Sequence, residues 1–596
     1  MRHPSTPHSA NGLLLLILPI CMVALQGIDY LRVEALLLGC ALLGAWWARR
    51  QLHWTPRPPG WCAPLRRWSR NPALACGLPA AASLALRLAL LPWIPVPHPV
   101  VPDEYSHIFL AKTLLLGRLA NPPHPLWPHF ESIHILSQPT FSSMYMAGQA
   151  VFLALGKLLT GSFFAGVLLS TALFCAALTW FLRAYVPPGW ALYGGLLAAV
   201  RFGAASYWNN SYWGGSVGAL GGALALGAYA RLARAWRPWP AVSFAAGLVL
   251  LANTRPYEGA GLGGALVTAL AWDFFRNRSP VRLRLFAGSV AAAVAVLAIS
   301  GWAMTRHWKA VTGDSFTLPY QVNQRMYGWP MTLPWLAVRP VEYRHPEFAL
   351  YRDYEVQEHK YVSVPAEMPF GLAGKISYVW RFFLGVSLSA VLVFTGRVLS
   401  ARRTRAIWIV SGVAGLLAMT EQTGSPHYFS PLAGPIVLFT TQGLRYLAQW
   451  SWRGAPLGPA IVRAIVPILC IIVGVRAAAL SPHSPPSPIP NYASWCCADA
   501  RQRDREPLLR RLEATPGKHL VIVHYDLASY DTFEWVYNEP DIDGAKVVWA
   551  RDMGDQKNRE LLSYYPERRV WTVLVKDQQG VLLGESMVTS SPLNAP

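Results

Sequence analysis

Apolar positions fall in long unbroken runs separated by short polar stretches. Runs of membrane-spanning length cover about 12–28, 33–48, 72–94, 162–182, 189–206, 214–232, 240–254, 258–275, 283–304, 374–396, 404–420, 428–447 and 458–479, thirteen in all. This pattern predicts a mostly α-helical, multi-pass transmembrane bundle. The first run has no small-x-small cleavage site, and a second follows at once, so it reads as an anchor and not a removed leader.

Basic residues mark one side of this bundle. Arg49, Arg50, Arg57, Arg66, Arg67 and Arg70 join the second and third runs. Arg231, Arg234 and Arg237 follow the sixth; Arg276, Arg278, Arg282 and Arg284 the eighth; Arg397, Arg402, Arg403 and Arg405 the tenth; Arg445 and Arg453 the twelfth. With thirteen spans all five loops face the same side, which the positive-inside rule makes cytoplasmic. The N-terminus is then cytoplasmic and the C-terminus extracytoplasmic. Loops at about 95–161 and 305–373 lie outside with the tail. The apolar run Met144–Leu159 within the first loop would invert every later loop as a span, so it reads as a juxtamembrane or re-entrant helix.

Residues 1–480 thus form the membrane domain, 481–516 a linker opened by SPHSPPSPIP, and 517–596 a small soluble α/β domain. In that domain HLVIVHY and RRVWTVLV have strand character, and QKNRELLSYY reads as a helix. No internal repeat is visible.

Composition agrees. The chain is 53% hydrophobic and 14% charged, against about 25% charged in soluble domains. A net charge of +21 can signal nucleic acid, but the basic residues cluster in topogenic loops, so no nucleic-acid partner is expected. Among eight cysteines no CxxC metal spacing occurs; Cys496 and Cys497 are adjacent and can oxidise or stay inert.

The candidate chemistry starts at Asp103-Glu104, heading the first outer loop. One reading makes Asp103 a helix N-cap with Glu104 in the first turn. The other makes the pair catalytic: one carboxylate accepts a proton from an attacking hydroxyl, and its neighbour orients it or holds a divalent cation. His107 lies one turn on, on the same face, where it can orient the carboxylate or simply be a surface histidine.

The run PDEYSHIFLAKTLLLGRLANPPHPLWPHFESIHILSQPTFSSMYMAGQAVFLALG resembles the first outer loop of bacterial membrane glycosyltransferases of the GT-C fold class. That class includes protein mannosyltransferases and the aminoarabinose transferase of lipid A. YWNNSYWGGSVGALGGALALGA, ANTRPYEG, TLPYQVNQRMYG, SPHYFSPLAGP and tail segments such as EWVYNEPDIDGAKVVWARDMG extend the resemblance over nearly the whole chain. It implies a polyprenyl-phosphate-sugar donor, an envelope glycan, lipid or protein acceptor, and residence in the bacterial inner membrane. It makes Asp103 and Glu104 the catalytic pair, with a Mg or Mn ion between them an open question. Where such proteins often carry Tyr-Pro-Pro or Lys-Pro-Pro, this chain has Met144-Tyr145-Met146-Ala147.

A phosphate leaving group needs cations or donors at the membrane surface. Arg255 is placed there, with Tyr257 and Glu258 in the same run, although it can also snorkel or pair with Glu258. His427 and Tyr428, Tyr320 and Arg325 are further candidates. Asn209 and Asn210, beside Tyr212 and Trp213, can hold a sugar or belong to an aromatic belt. Arg87 and Arg201 fall near or within apolar runs without an assigned role.

Three other functions share parts of this pattern. A transporter or flippase predicts internal repeats and helices broken at mid-membrane. A lipid-linked glycan ligase or polymerase shares the multi-pass plan but has no need of the acidic pair. A non-enzymatic scaffold would use the tail to bind a partner.

Overall fold

The computed structural model describes residues 30–52, 62–276, 280–331, 333–451, 456–479, 494–496, 505–529, 534–576 and 579–586. The first expected span, 12–28, and Cys497 lie outside these residues. Each of the other twelve expected spans coincides with helix. They run from Tyr30–Leu52 and Pro72–Ala89 through Phe163–Leu182, Pro188–Gly203, Gly215–Leu232, Pro238–Ala252, Pro256–Arg276 and Pro280–Thr312 to Arg405–Met419, Ala433–Leu447 and Leu457–Ala479. Several start on proline, whose fixed φ suits the first turn and whose missing N–H costs nothing there.

Length divides them. Among the described residues five helices are long and apolar enough to cross a membrane, or six with one bent pair counted as a span. The 15-residue helices Pro238–Ala252, Arg405–Met419 and Ala433–Leu447 reach about 22 Å at 1.5 Å per residue, short of the roughly 30 Å hydrocarbon core. Among the described residues, length and composition alone therefore do not establish thirteen crossings.

The bent pair lies where one run was expected at 374–396. Met368–Phe383 and Gly385–Leu399 meet at 95°. Gly385 takes φ +59 there, a conformation that favours glycine. The carbonyls freed at the break are taken by Arg201, whose Nε donates to Phe382 O at 2.8 Å and Nη2 to Arg381 O at 3.0 Å. Glu34 closes the knot, accepting from Ser387 N and Trp495 Nε1. Arg87 does the same at another helix end, donating to Ile94 O and Pro95 O, both at 2.9 Å. Both arginines, unassigned in the sequence, serve unwound backbone inside the protein.

The tail forms a four-stranded sheet in the order Val547–Arg551, His519–Tyr525, Arg569–Lys576, Gln579–Ser586; the first three strands are parallel and the last antiparallel. The expected strands and the helix Asp555–Tyr564 are present. Residues 505–514, placed by sequence in the linker, form a helix whose Leu512 packs on Val521, Trp549 and Val573. The opposite face of the sheet, through Leu520, Ile522, Val548 and Val570, shares one core with Phe109, Phe130, Ile135 and Phe141 of the 95–161 segment. The tail is built into that segment. Cys496 is disulfide-bonded.

Candidate active site

Pro102 fixes the first turn of the helix Pro102–Leu115, so Val101 is its N-cap and Asp103 its second residue. The capping role read for Asp103 therefore falls to Glu104. Its Oε2 accepts from Val100 N at 2.8 Å and Val101 N at 3.1 Å, and its Oε1 from Tyr212 N at 2.8 Å. Burial pushes its carboxyl up to about 7 against those three donors, and the Asp103 charge adds to the rise. Both Glu104 oxygens accept from backbone amides, which ties this carboxylate to the helix start. No cluster of three His, Cys, Asp or Glu suited to a metal is found among the described residues.

Asp103 is freed by this arrangement to face a cavity of about 440 Å³. Two partners hold it. Tyr145 donates its hydroxyl to Oδ1, and His134 Nδ1 stands 3.6 Å from Oδ2. The same Tyr145 hydroxyl lies 3.1 Å from His134 Nδ1. Burial alone would raise the Asp103 carboxyl, but the facing His134 and the Tyr145 hydrogen bond outweigh it and hold the group below the usual carboxylate range. His134 is in turn bonded through Nε2 to Tyr351 OH at 3.0 Å; Tyr351 reaches Glu355, and Gln422 Nε2 donates to Glu355 Oε2 at 3.1 Å.

His134 is the one described non-glycine residue with positive φ, at 65°. Such a conformation costs on the order of 1–3 kcal/mol and persists where surroundings over-determine it. They do so here. Its carbonyl accepts from Ser106 Oγ at 2.7 Å and Met144 N at 3.2 Å. A short hairpin, Ile135–Leu136 against Ser142–Ser143, follows directly.

Across the cavity stands Arg255, with its guanidinium 4.6 Å from the Tyr428 ring centre. Its Nε is buried without a hydrogen-bond partner among the described residues, and the Glu258 charge acts on the guanidinium through space. Glu258 and Glu421 also line the cavity, each with one buried oxygen lacking a partner. Burial and the nearby Glu258 hold the Glu421 carboxyl well above its ordinary value.

The cavity gathers Asp103, His107, Arg255, Tyr257, Glu258, Tyr320 and Tyr428 from the predicted residues. The His107 ring packs 4.5 Å from that of Tyr145, its Nδ1 has no hydrogen-bond partner among the described residues, and burial lowers it to about 3. His427 stands behind the wall: Nδ1 meets Tyr207 OH at 3.1 Å, and the ring packs on Trp213 and Tyr428. Asn209 and Asn210 are buried outside the cavity, donating to Gly203 O and Ser206 O. Arg325 is exposed on a helix whose Tyr320 and Gln324 face inward.

Sequence reasoning missed His134, Tyr351, Glu355, Glu421 and Gln422. The one available signal was Tyr145, in the Met-Tyr-Met-Ala element already marked as a departure.

No protein-family model matches the chain, and no curated protein matches it. Among solved structures it is similar to ArnT from Cupriavidus metallidurans bound to undecaprenyl phosphate, at 12% identity and TM-score 0.44, over 84% of this chain and 93% of that one. The apo form of the same protein gives 12% and 0.42, over 82% and 92%. The apo oligosaccharyltransferase of Archaeoglobus fulgidus gives 11% and 0.39, over 84% and 69%. At these scores the likenesses assign no residue and no substrate.

Proposed function

We propose that this chain is a membrane glycosyltransferase that moves a sugar from a polyprenyl-phosphate donor to a hydroxyl acceptor on the extracytoplasmic face. The observation that carries this reading is one cavity holding an ionised carboxylate, Asp103, and a guanidinium, Arg255, whose buried Nε has no hydrogen-bond partner among the described residues. The resemblance of the loop sequences to the GT-C class adds the donor and the face.

In this reading the acceptor hydroxyl approaches sugar C1 from the Asp103 side. Its oxygen forms the new C1–O bond as its proton passes to an Asp103 oxygen. The C1–O bond to phosphate breaks with its electron pair going to the phosphate, and the configuration at C1 inverts. The hydroxyl becomes acidic as its oxygen bonds to carbon, so a weak, ionised base suffices. Arg255, with the Tyr257 and Tyr428 hydroxyls nearby, takes the charge of the departing polyprenyl phosphate. No metal step is needed in this scheme.

Asp103→Asn keeps the shape and removes the base. Sugar transfer by membranes carrying it should fall about 10²- to 10⁴-fold while the protein inserts normally. Near wild-type transfer would remove Asp103 from the mechanism. Mass spectrometry of envelope glycans and lipids with and without the gene would identify the sugar and the acceptor. An unchanged envelope, with a translocated lipid instead, would favour a flippase.

A further inference from the structure

The residues that lead into His134 are held by the tail. Arg551 Nε donates to Glu131 O at 2.8 Å. Ser132 Oγ donates to Val536 O. Tyr537 OH donates to Ile133 O at 3.4 Å. Three consecutive residues, 131 to 133, are thus fixed from the C-terminal domain, and the next is His134, the strained partner of Asp103. The domain also reaches the catalytic helix, where Tyr537 stacks on Tyr105 at 4.0 Å and 8°.

Arg551 is well fixed for this task. It is 1% exposed and ion-paired to Glu347 of the 305–373 segment and Glu534 of the tail. Its own carbonyl is 3.2 Å from His129 Nδ1. Glu131, whose carbonyl it holds, is pinned through its carboxylate by Tyr327 and Arg344. One buried side chain therefore joins the tail, the His134 loop and the second long segment.

We propose that the C-terminal domain is a positioning device for the active site, and that Arg551, through residues 131–133, sets His134 against Asp103. This rests on the proposed transferase reading. The alternative, a tail that binds a partner and leaves the chemistry alone, predicts no such coupling.

The test uses the full-length chain in membranes. Ser132→Ala removes the hydroxyl's bond to Val536 O, together with its 3.2 Å bond to Phe130 O, and leaves the core intact; Arg551→Lys keeps the charge and loses the fork. Each should lower kcat about ten- to hundredfold with the donor KM unchanged and the same amount of folded protein. The same changes are then made on His134→Asn, since asparagine tolerates the positive φ. If the tail acts through His134, the second loss disappears in that background. An unchanged kcat, or an equal loss on His134→Asn, overturns the proposal.

Hydrogen exchange at amides 131–136 reads the coupling without activity. Exchange should quicken there in Ser132→Ala and Arg551→Lys and stay unchanged in the helix Phe163–Leu182. No change at 131–136 overturns the inference even in an active transferase. A wild-type chain without transfer overturns the proposed function, and the exchange result still decides the coupling.

Discussion

A single proline separates the roles of two adjacent carboxylates. Pro102 sets the helix start, which sends Glu104 back to the amides of residues 100 and 101 and leaves Asp103 pointing into the cavity. Because the folded Asp103 value lies below the ordinary one, the stability drawn from His134 and Tyr145 is complete above about pH 4 and is lost only as the pH falls through the folded value. Asp103 therefore stays charged over the working range. The ratio of wild-type to Asp103→Asn transfer rates should be flat between about pH 5 and 9, measured with buffers of constant ionic strength. A ratio that collapses on the acid side would mean that another group accepts the proton. Arg255 makes a second residue-level prediction. Arg255→Ala should raise the donor KM about tenfold or more, and Arg255→Lys should recover part of it, since a charge remains but the fork is lost. Equal KM values in titrations with the lipid-linked donor would exclude a phosphate contact.

At the level of elements, local pattern carried far. Apolar runs located the helices, and alternation in HLVIVHY and RRVWTVLV located two of the four tail strands. Asp103 and Arg255 were legible because their residue types and places at helix ends are themselves signals. His134, Glu355 and Gln422 were not, because they reach Asp103 through contacts between segments far apart in the chain, and no spacing records those. The break at Gly385 was hidden for a similar reason: an apolar run does not disclose a 95° bend whose carbonyls are answered by Arg201 from another helix. That break makes a prediction. A Cβ on residue 385 would lie 2.6 Å from Glu34 Oε2, at φ +59. Gly385→Ala should cost about 1–3 kcal/mol and lower the thermal midpoint in detergent, read by tryptophan fluorescence. An unchanged midpoint would mean that the bend relaxes.

On the scale of the whole molecule, the sequence divides into a membrane part, a linker and a tail, but the packing does not follow that division. The tail sheet packs one face on the helix Arg505–Ala514 and shares the other with its helix Asp555–Tyr564 and the 95–161 segment. Lys112–Glu539 and His124–Asp543 pairs border the contact, and the Arg551 pairs are buried within it. A protease site introduced between residues 480 and 493 tests this. After cutting and reduction the two fragments should still co-elute from a sizing column in mild detergent. Separation would mean that the shared core does not hold the tail by itself.

The Arg551–Glu131 bond spans 420 residues of sequence. The His134 loop is synthesised early and waits for its support until nearly the whole chain has left the ribosome. On the proposed transferase reading and the proposed coupling, a half-made molecule would be idle. Translation itself would then time the onset of activity: a chain cut short before Arg551 should insert but transfer no sugar.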